Sequence, residues 1–163
     1  AHGEPSTADK QALTSAFAGT GYHLTWAADL AFILPIVYLS YALDCDLRRA
    51  TGKQIKTGLQ AVREGYGLLD ALGYPILPED TMEKLHGFKG ALSYVLLRLM
   101  AKTTIGELAA TDHCRNAVTE LEALDTAFAA MRERKPGFLM PHWDDLRSTM
   151  PDWETAHRRY QKE

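Results

Sequence analysis

The stretch IKTGLQAVREGYGLLDALG, residues 55–73, decides the fold class of this chain. Its large apolar side chains recur at alternating spacings of four and three residues: Ile55, Leu59, Val62, Tyr66 and Leu69. That spacing places all five on one stripe of an α-helix, and such a stripe faces a protein core. Gly73 comes where a glycine commonly ends a helix. The stretch therefore predicts an amphipathic helix that packs on one side against other elements.

The segments on either side carry helical signals of their own. Four more helices are expected from periodicity: one up to Phe17 after a Ser6 or Thr7 cap, and others over 27–50, 79–102 and 105–134. Two short helices are expected at Pro141 and Pro151, because proline is tolerated in a first turn. The stretch YHLTW, Tyr22 to Trp26, alternates briefly and predicts a lone extended segment.

Proline and glycine mark where these helices bend or stop. Pro35 is expected to bend the 27–50 helix, Gly87 and Gly90 to break the 79–102 segment, and 135–137 to stop the late helix. The late helix has a predicted buried stripe of Cys114, Ala117, Leu121, Leu124, Phe128 and Met131. We therefore predict one all-α domain over 1–163, with six to eight helices. Long helices with wide apolar faces also favour a homodimer.

Composition and charge exclude several classes of protein. The 163 residues include 18 basic and 21 acidic side chains, a net charge of -3, which argues against a nucleic-acid partner. The longest charge-free apolar run, 30–43, is shorter than the roughly 20 residues of a membrane span. Cys45 and Cys114 are too few for a disulfide scaffold and too far apart for a metal knuckle. Because AHGEPSTADK also lacks a secretion signal, we expect a cytoplasmic protein without metal or membrane contact.

Two polar side chains of the late helix are candidate site residues. His113 and Glu120 are seven positions apart, so two helical turns place them on one face, about 10 Å apart along the axis. Either both line one cleft, with His113 binding the substrate, or His113 is a half-buried histidine beside a solvated carboxylate. Asp112, His113 and Cys114 diverge around the helix, so these neighbours cannot chelate one metal.

A basic stretch is the other candidate for ligand binding. It comprises Arg48, Arg49, Lys53, Lys56 and Arg63, with no acidic residue between positions 47 and 63. Either a phosphate-bearing cofactor uses it, or it is a solvated face at a helix C-terminus. The sequence has no complete dinucleotide-binding fingerprint. The glycines at 19–21 begin like one, but the third glycine of the motif is missing and the stretch follows a predicted helix instead of a strand.

The order of these features resembles the C-terminal domain of ketopantoate reductase-related proteins, the 2-dehydropantoate 2-reductase family. One family passage consists of a helix, a short strand and an aspartate. The corresponding features here are ALTSAFAGTGY, a short strand-like stretch and Asp29. GLQAVREGYGLLDALGYPILPED resembles the next helix, with Glu64 and Gly73 at the matching places. DHCRNAVTELEALDTAF, followed by Pro141, is similar to a late helix that carries an acidic residue and then a proline step. The resemblance covers Gly3 to about residue 146.

The resemblance implies an all-α fold like the C-terminal domain of 6-phosphogluconate dehydrogenase. It also implies a homodimer, and an NADP-binding Rossmann domain that this chain lacks and that would end where the chain begins. Glu120 matches the catalytic glutamate of the family, with Glu122 as the alternative register. Reduction of a 2-keto acid needs a proton donor or cation at the developing alkoxide. However, the tryptophan, lysine and asparagine of the family fall near Pro35, Val37 and Tyr41, and valine cannot donate a proton.

Three functions follow as hypotheses. The first is the helical substrate-binding and dimerisation domain of an NADP-dependent, ketopantoate reductase-like oxidoreductase, inactive without its nucleotide-binding half. The second is a helical assembly or binding domain that kept the scaffold and lost the reductase chemistry, which the missing lysine favours. The third is an unrelated helical enzyme whose cleft includes His113 and Glu120.

Overall fold

A computed structural model of the chain describes residues 22–74, 76, 85, 87–103 and 112–160. These residues form seven α-helices and one 3₁₀-helix, with no strand among them. In chain order they are α1 (Tyr22–Ala42), the 3₁₀-helix (Leu47–Arg49), α2 (Gly52–Ala71), α3 (Gly87–Met100), α4 (His113–Asn116), α5 (Val118–Glu133), α6 (Pro141–Thr149) and α7 (Trp153–Tyr160). The predicted all-α class is therefore confirmed for the described residues, while likeness to the 6-phosphogluconate dehydrogenase domain stays a prediction.

Helix α2 is the helix that the periodic stretch predicts, and all five residues of its stripe are buried. A reciprocal cap fixes its start. Thr51 Oγ1 accepts a hydrogen bond from the backbone N–H of Gln54, and Gln54 Oε1 accepts one from the N–H of Thr51. Gly73 follows the last turn with a φ of +80°, a conformation in which glycine is not strained.

Helix α1 differs from the prediction at both ends. The expected extended segment Tyr22 to Trp26 is wrong, because these residues form the first turns of the helix. The helix also continues through Pro35. The expected end near residue 50 is wrong as well, since the helix stops at Ala42. Asp44 and Cys45 take φ values of +57° and +56°, and the Cys45 N–H returns to the Ser40 carbonyl at 2.7 Å. This turn diverts the chain before the 3₁₀-helix.

The expected single helix over 105–134 is also wrong within the described residues. Ala117, with φ −121° and ψ 29°, leaves the helical conformation between α4 and α5. Its predicted stripe is nevertheless buried or partly buried on both sides of this break. The expected helix up to Phe17, and residues 105–111 of the late helix, lie outside the described residues.

Helix α1 is central to the packing. It contacts α2, α5 and α6, while α2 also packs against α6 and α3. A Cβ at Gly65 would lie 2.9 Å from the Trp143 ring and 3.0 Å from Ala31, so the glycine permits the close approach of α1, α2 and α6. Trp143 stacks on Phe128, with ring centroids 4.2 Å apart. None of the described helices combines the length and apolarity that crossing a bilayer requires.

Candidate functional site

A cavity of about 330 Å³ opens between α1, α2, the end of α3 and α4. Most of its lining consists of aliphatic and aromatic side chains, including Phe32, Val37, Leu59, Val62, Leu97 and Met100. Ligand pockets in proteins commonly begin near 300 Å³ and are mostly apolar. The cavity is therefore large enough for a small apolar molecule or for the end of a longer hydrocarbon chain.

Gly58 contributes to this space because it has no side chain. It lies inside α2, and a Cβ built at this position would have no atom within 4 Å other than the backbone of its own helix. Ile55 and Val62 lie one turn before and after it and line the same cavity. A glycine inside a helix destabilises it by about 0.5–1 kcal/mol relative to alanine. The open space at position 58 therefore comes with a loss of helix stability.

The polar groups of the cavity lie at its α4 edge. His113 is exposed there, and Cys114 is buried beside it. The hydrogen bond with the Cys45 thiol, and burial, raise the pKa of the Cys114 thiol far above its usual range, so the thiol stays protonated. Apart from this thiol, His113 is the one polar side chain among the described lining residues. The described lining is therefore suited to binding an apolar group.

The structure places the predicted site residues apart. His113 lines the cavity, whereas Glu120 is exposed on the first turn of α5 and is not among the lining residues. The interruption at Ala117 separates their two helices. Glu122, the alternative glutamate, lies 2.7 Å from His157 Nε2 and links α5 to α7.

The positions implied by the resemblance have clear locations. Pro35 and Val37 line the cavity, so an apolar wall stands where the family would place its lysine. Tyr41 is buried and donates a hydrogen bond to the Cys114 carbonyl at 2.6 Å. Glu64 accepts backbone N–H groups of His142 and Trp143 at 3.2 and 2.9 Å, and thus caps the start of α6.

Sequence reasoning missed a polar cluster centred on Asp125. Tyr38 donates to its Oδ1 at 2.5 Å, while Trp153 and Arg147 donate to Oδ2 at 2.8 and 3.1 Å. The partners are 87, 28 and 22 positions away in sequence, so no local spacing could have found them. With Arg147 also lying over the rings of Tyr38 and Trp153, the cluster joins α1, α5, α6 and α7.

Within the described ranges, no three histidine, cysteine or acidic side chains are grouped so that they could hold a metal ion. The basic stretch separates into different environments. Arg48 and Arg49 are exposed at the 3₁₀-helix, whereas Lys56 and Arg63 line a groove between α2 and α3.

Comparison with known proteins found no match to the chain among family models, curated proteins or solved structures.

Proposed function

We propose that this chain is a helical binding domain and that the cavity beside His113 holds an apolar ligand. The observation that carries the proposal is the apolar wall, Val37 included, at the place where the resemblance would require a lysine. Burying apolar ligand surface there gains about 25 cal/mol per Å² removed from water. A charged ligand group would lose its hydration in the same place with little compensation, because the described lining is almost entirely apolar.

Fluorescence titration with the neutral apolar probe N-phenylnaphthylamine tests this function. Wild-type protein is expected to bind the probe saturably, because the cavity shields it from water. Gly58→Leu places a side chain in the cavity and is expected to weaken binding at least about tenfold. Ala123→Leu adds the same side chain on the exposed face of α5 and serves as the control. Equal binding by wild type and Gly58→Leu would overturn the proposal.

A second candidate is the oxidoreductase that the resemblance implies. Its support is that one cavity is lined both by Pro35 and Val37, which are at family positions, and by His113, the predicted substrate-binding residue. In this candidate a separate Rossmann domain holds NADP and the protein is cytoplasmic. A 2-keto acid binds beside His113, and Glu120, which lies outside the cavity, acts as the catalytic acid on the part of the substrate that extends beyond it. NADPH oxidation by the full-length protein against a panel of 2-keto acids tests it. Turnover that Glu120→Gln lowers at least about tenfold supports it; absence of turnover, or an unaffected variant, rejects it.

Self-association is the assembly part of the same proposal, and α3 supplies the surface. Five apolar side chains, each between 48% and 59% exposed, follow one stripe of this helix: Leu92, Val95, Leu96, Leu99 and Met100. Together they expose on the order of 400 Å² of apolar surface, comparable to the largest patch on a typical monomer. A second copy that presents the same stripe would cover it and form the apolar centre of a standard interface of about 800 Å² per partner. We therefore include a homodimer in the proposal.

A further inference from the structure

A second groove, of about 250 Å³, lies between α2 and α3 and differs in character from the apolar cavity. Lys56, Gln60 and Arg63 of α2 line one side, and Gly90 and Tyr94 of α3 line the other. None of the described lining residues is acidic. The groove therefore gathers two cations without a carboxylate to neutralise them.

Arg63 is the most unusual side chain of this groove. Its Nε is buried and has no hydrogen-bond partner in the described part of the chain. A buried polar donor without a partner destabilises the folded state, and more so when the group is charged. The guanidinium is close to the α3 backbone, because its Nη2 lies only 2.8 Å from where a Cβ of Gly90 would be. A glycine at position 90 thus leaves the space that the cation occupies.

The other polar groups of the groove are ready to donate hydrogen bonds. Arg98 Nη1 donates to the Tyr94 hydroxyl oxygen at 3.2 Å, which leaves the hydroxyl hydrogen of Tyr94 to donate elsewhere. Gln60 adds an amide, and Lys56 adds an ammonium one helical turn before it. The set has donors in excess and a charge of two, which suits a doubly charged oxyanion better than a single carboxylate.

We propose that this groove binds a phosphate group, held by Arg63, Lys56 and Tyr94. The guanidinium offers a planar set of donors that matches phosphate oxygens, and the ammonium adds a second charge. The site is independent of the apolar cavity and of its proposed ligand; Leu59 lies in the wall of both. The phosphate is either free or part of an organic phosphate ester, and both share this chemistry.

Calorimetric titration of the whole chain with inorganic phosphate, at ionic strength held constant with sodium chloride, tests the site. Phenyl phosphate distinguishes an ester from free phosphate, and acetate tests the anion class. Wild type is expected to bind at least one of the two phosphates saturably, and acetate at least about tenfold more weakly. Arg63→Met, which keeps the apolar stem, is expected to lose at least about tenfold in affinity, and Arg63→Lys to lose less. Lys53→Met, an exposed member of the same basic stretch, is the control and should bind as wild type does.

Thermal unfolding gives an independent measurement on the same variants. Arg63→Met is expected to be at least as stable as wild type without phosphate, because the substitution removes a buried Nε that has no hydrogen-bond partner among the described residues. If that variant does not fold, Lys56→Met carries the binding test, since Lys56 is exposed. The proposal is overturned if neither phosphate binds, if acetate binds as tightly, or if removing the Arg63 or Lys56 cation leaves phosphate affinity unchanged.

Discussion

The Asp125 carboxylate accepts hydrogen bonds from three side chains that belong to three other helices. Its side chain is 15% exposed, so these bonds form largely away from water. A buried carboxylate that loses its partners costs several kcal/mol. Burial first, and then the charge of Asp125, raise the pKa of Tyr38 above its ordinary value of about 10. The hydroxyl therefore remains a hydrogen-bond donor throughout the neutral range.

This arrangement predicts a loss of stability in alkali. In the unfolded chain Tyr38 ionises near pH 10, whereas in the folded chain it keeps its proton. The stability that its protonated form provides is fully present below that pH and is lost as the pH rises above it. Urea unfolding at about pH 8 and about pH 11 is expected to show a smaller loss for Tyr38→Phe than for wild type. The difference is about 1.4 kcal/mol, because only the one pH unit above the unfolded pKa of about 10 contributes.

A matched variant separates titration from hydrogen bonding. Trp153→Phe removes another donor to Asp125 but no ionisable group. It is expected to lower stability by about 1–2 kcal/mol and by a similar amount at both pH values. If wild type and Tyr38→Phe lose stability equally between the two pH values, the assignment of the alkaline loss to Tyr38 is incorrect.

Helix α6 depends on a residue of α2 for its start. Pro141 occupies the first turn, and the N-cap position, Met140, makes no side-chain hydrogen bond. Glu64 replaces that cap: its two oxygens accept the N–H groups of His142 and Trp143, and a carboxylate there also favours the positive end of the helix dipole. The contact thus couples formation of α6 to its packing on α2.

Removing this cap is expected to destabilise the fold. Glu64→Ala leaves two N–H groups without their acceptor and should lower the free energy of unfolding in urea by about 1–2 kcal/mol. Glu64→Gln keeps a carbonyl acceptor and should lose less. Asp70→Ala removes an exposed carboxylate of the same helix and is the control. A loss as large for Asp70→Ala as for Glu64→Ala would contradict the capping role.

Across the described molecule, one large apolar surface remains uncovered, the stripe on α3. Met100 belongs both to this stripe and to the lining of the cavity, so the two apolar regions are continuous. Sedimentation at micromolar concentration is expected to show a dimer. Leu96→Gln combined with Leu99→Gln is expected to give a monomer, whereas Ala129→Gln on exposed α5 surface should leave the dimer intact. A monomeric wild type, or a double variant that dimerises fully, would reject this interface.

The sequence predicts most of the helices because periodicity reports burial directly, as in the 55–69 stripe. Its errors have local causes. Five alternating residues, Tyr22 to Trp26, are too few to separate a strand from the first turns of a helix. The break at Ala117 was missed because the buried stripe continues on both sides of it. The resemblance to ketopantoate reductases stays a prediction.

The sites were harder to predict than the helices. The cavity forms where four elements meet in space, which local sequence patterns do not show. Gly58 leaves space in it, but in the sequence this residue is only a glycine inside a predicted helix. Of the two predicted site residues, His113 lines the cavity and Glu120 lies outside it, and their roles stay predictions. The sequence left two alternatives for the basic stretch, a site for a phosphate-bearing cofactor or a solvated face. It could not show that Lys56 and Arg63 come together, because they do so where α3 packs against α2.

Urea unfolding of wild type and Gly58→Leu, each with and without saturating N-phenylnaphthylamine, tests the central claim most directly. A ligand that binds only the folded state raises the free energy of unfolding, by about 2.7 kcal/mol at a hundred times its Kd. We predict this gain for wild type alone. Gly58→Leu should be more stable than wild type without the probe, since a leucine favours α2 and fills empty space, and should gain little from the probe. Equal gains in both proteins, or a Gly58→Leu variant less stable than wild type, would contradict a ligand-binding cavity at this position.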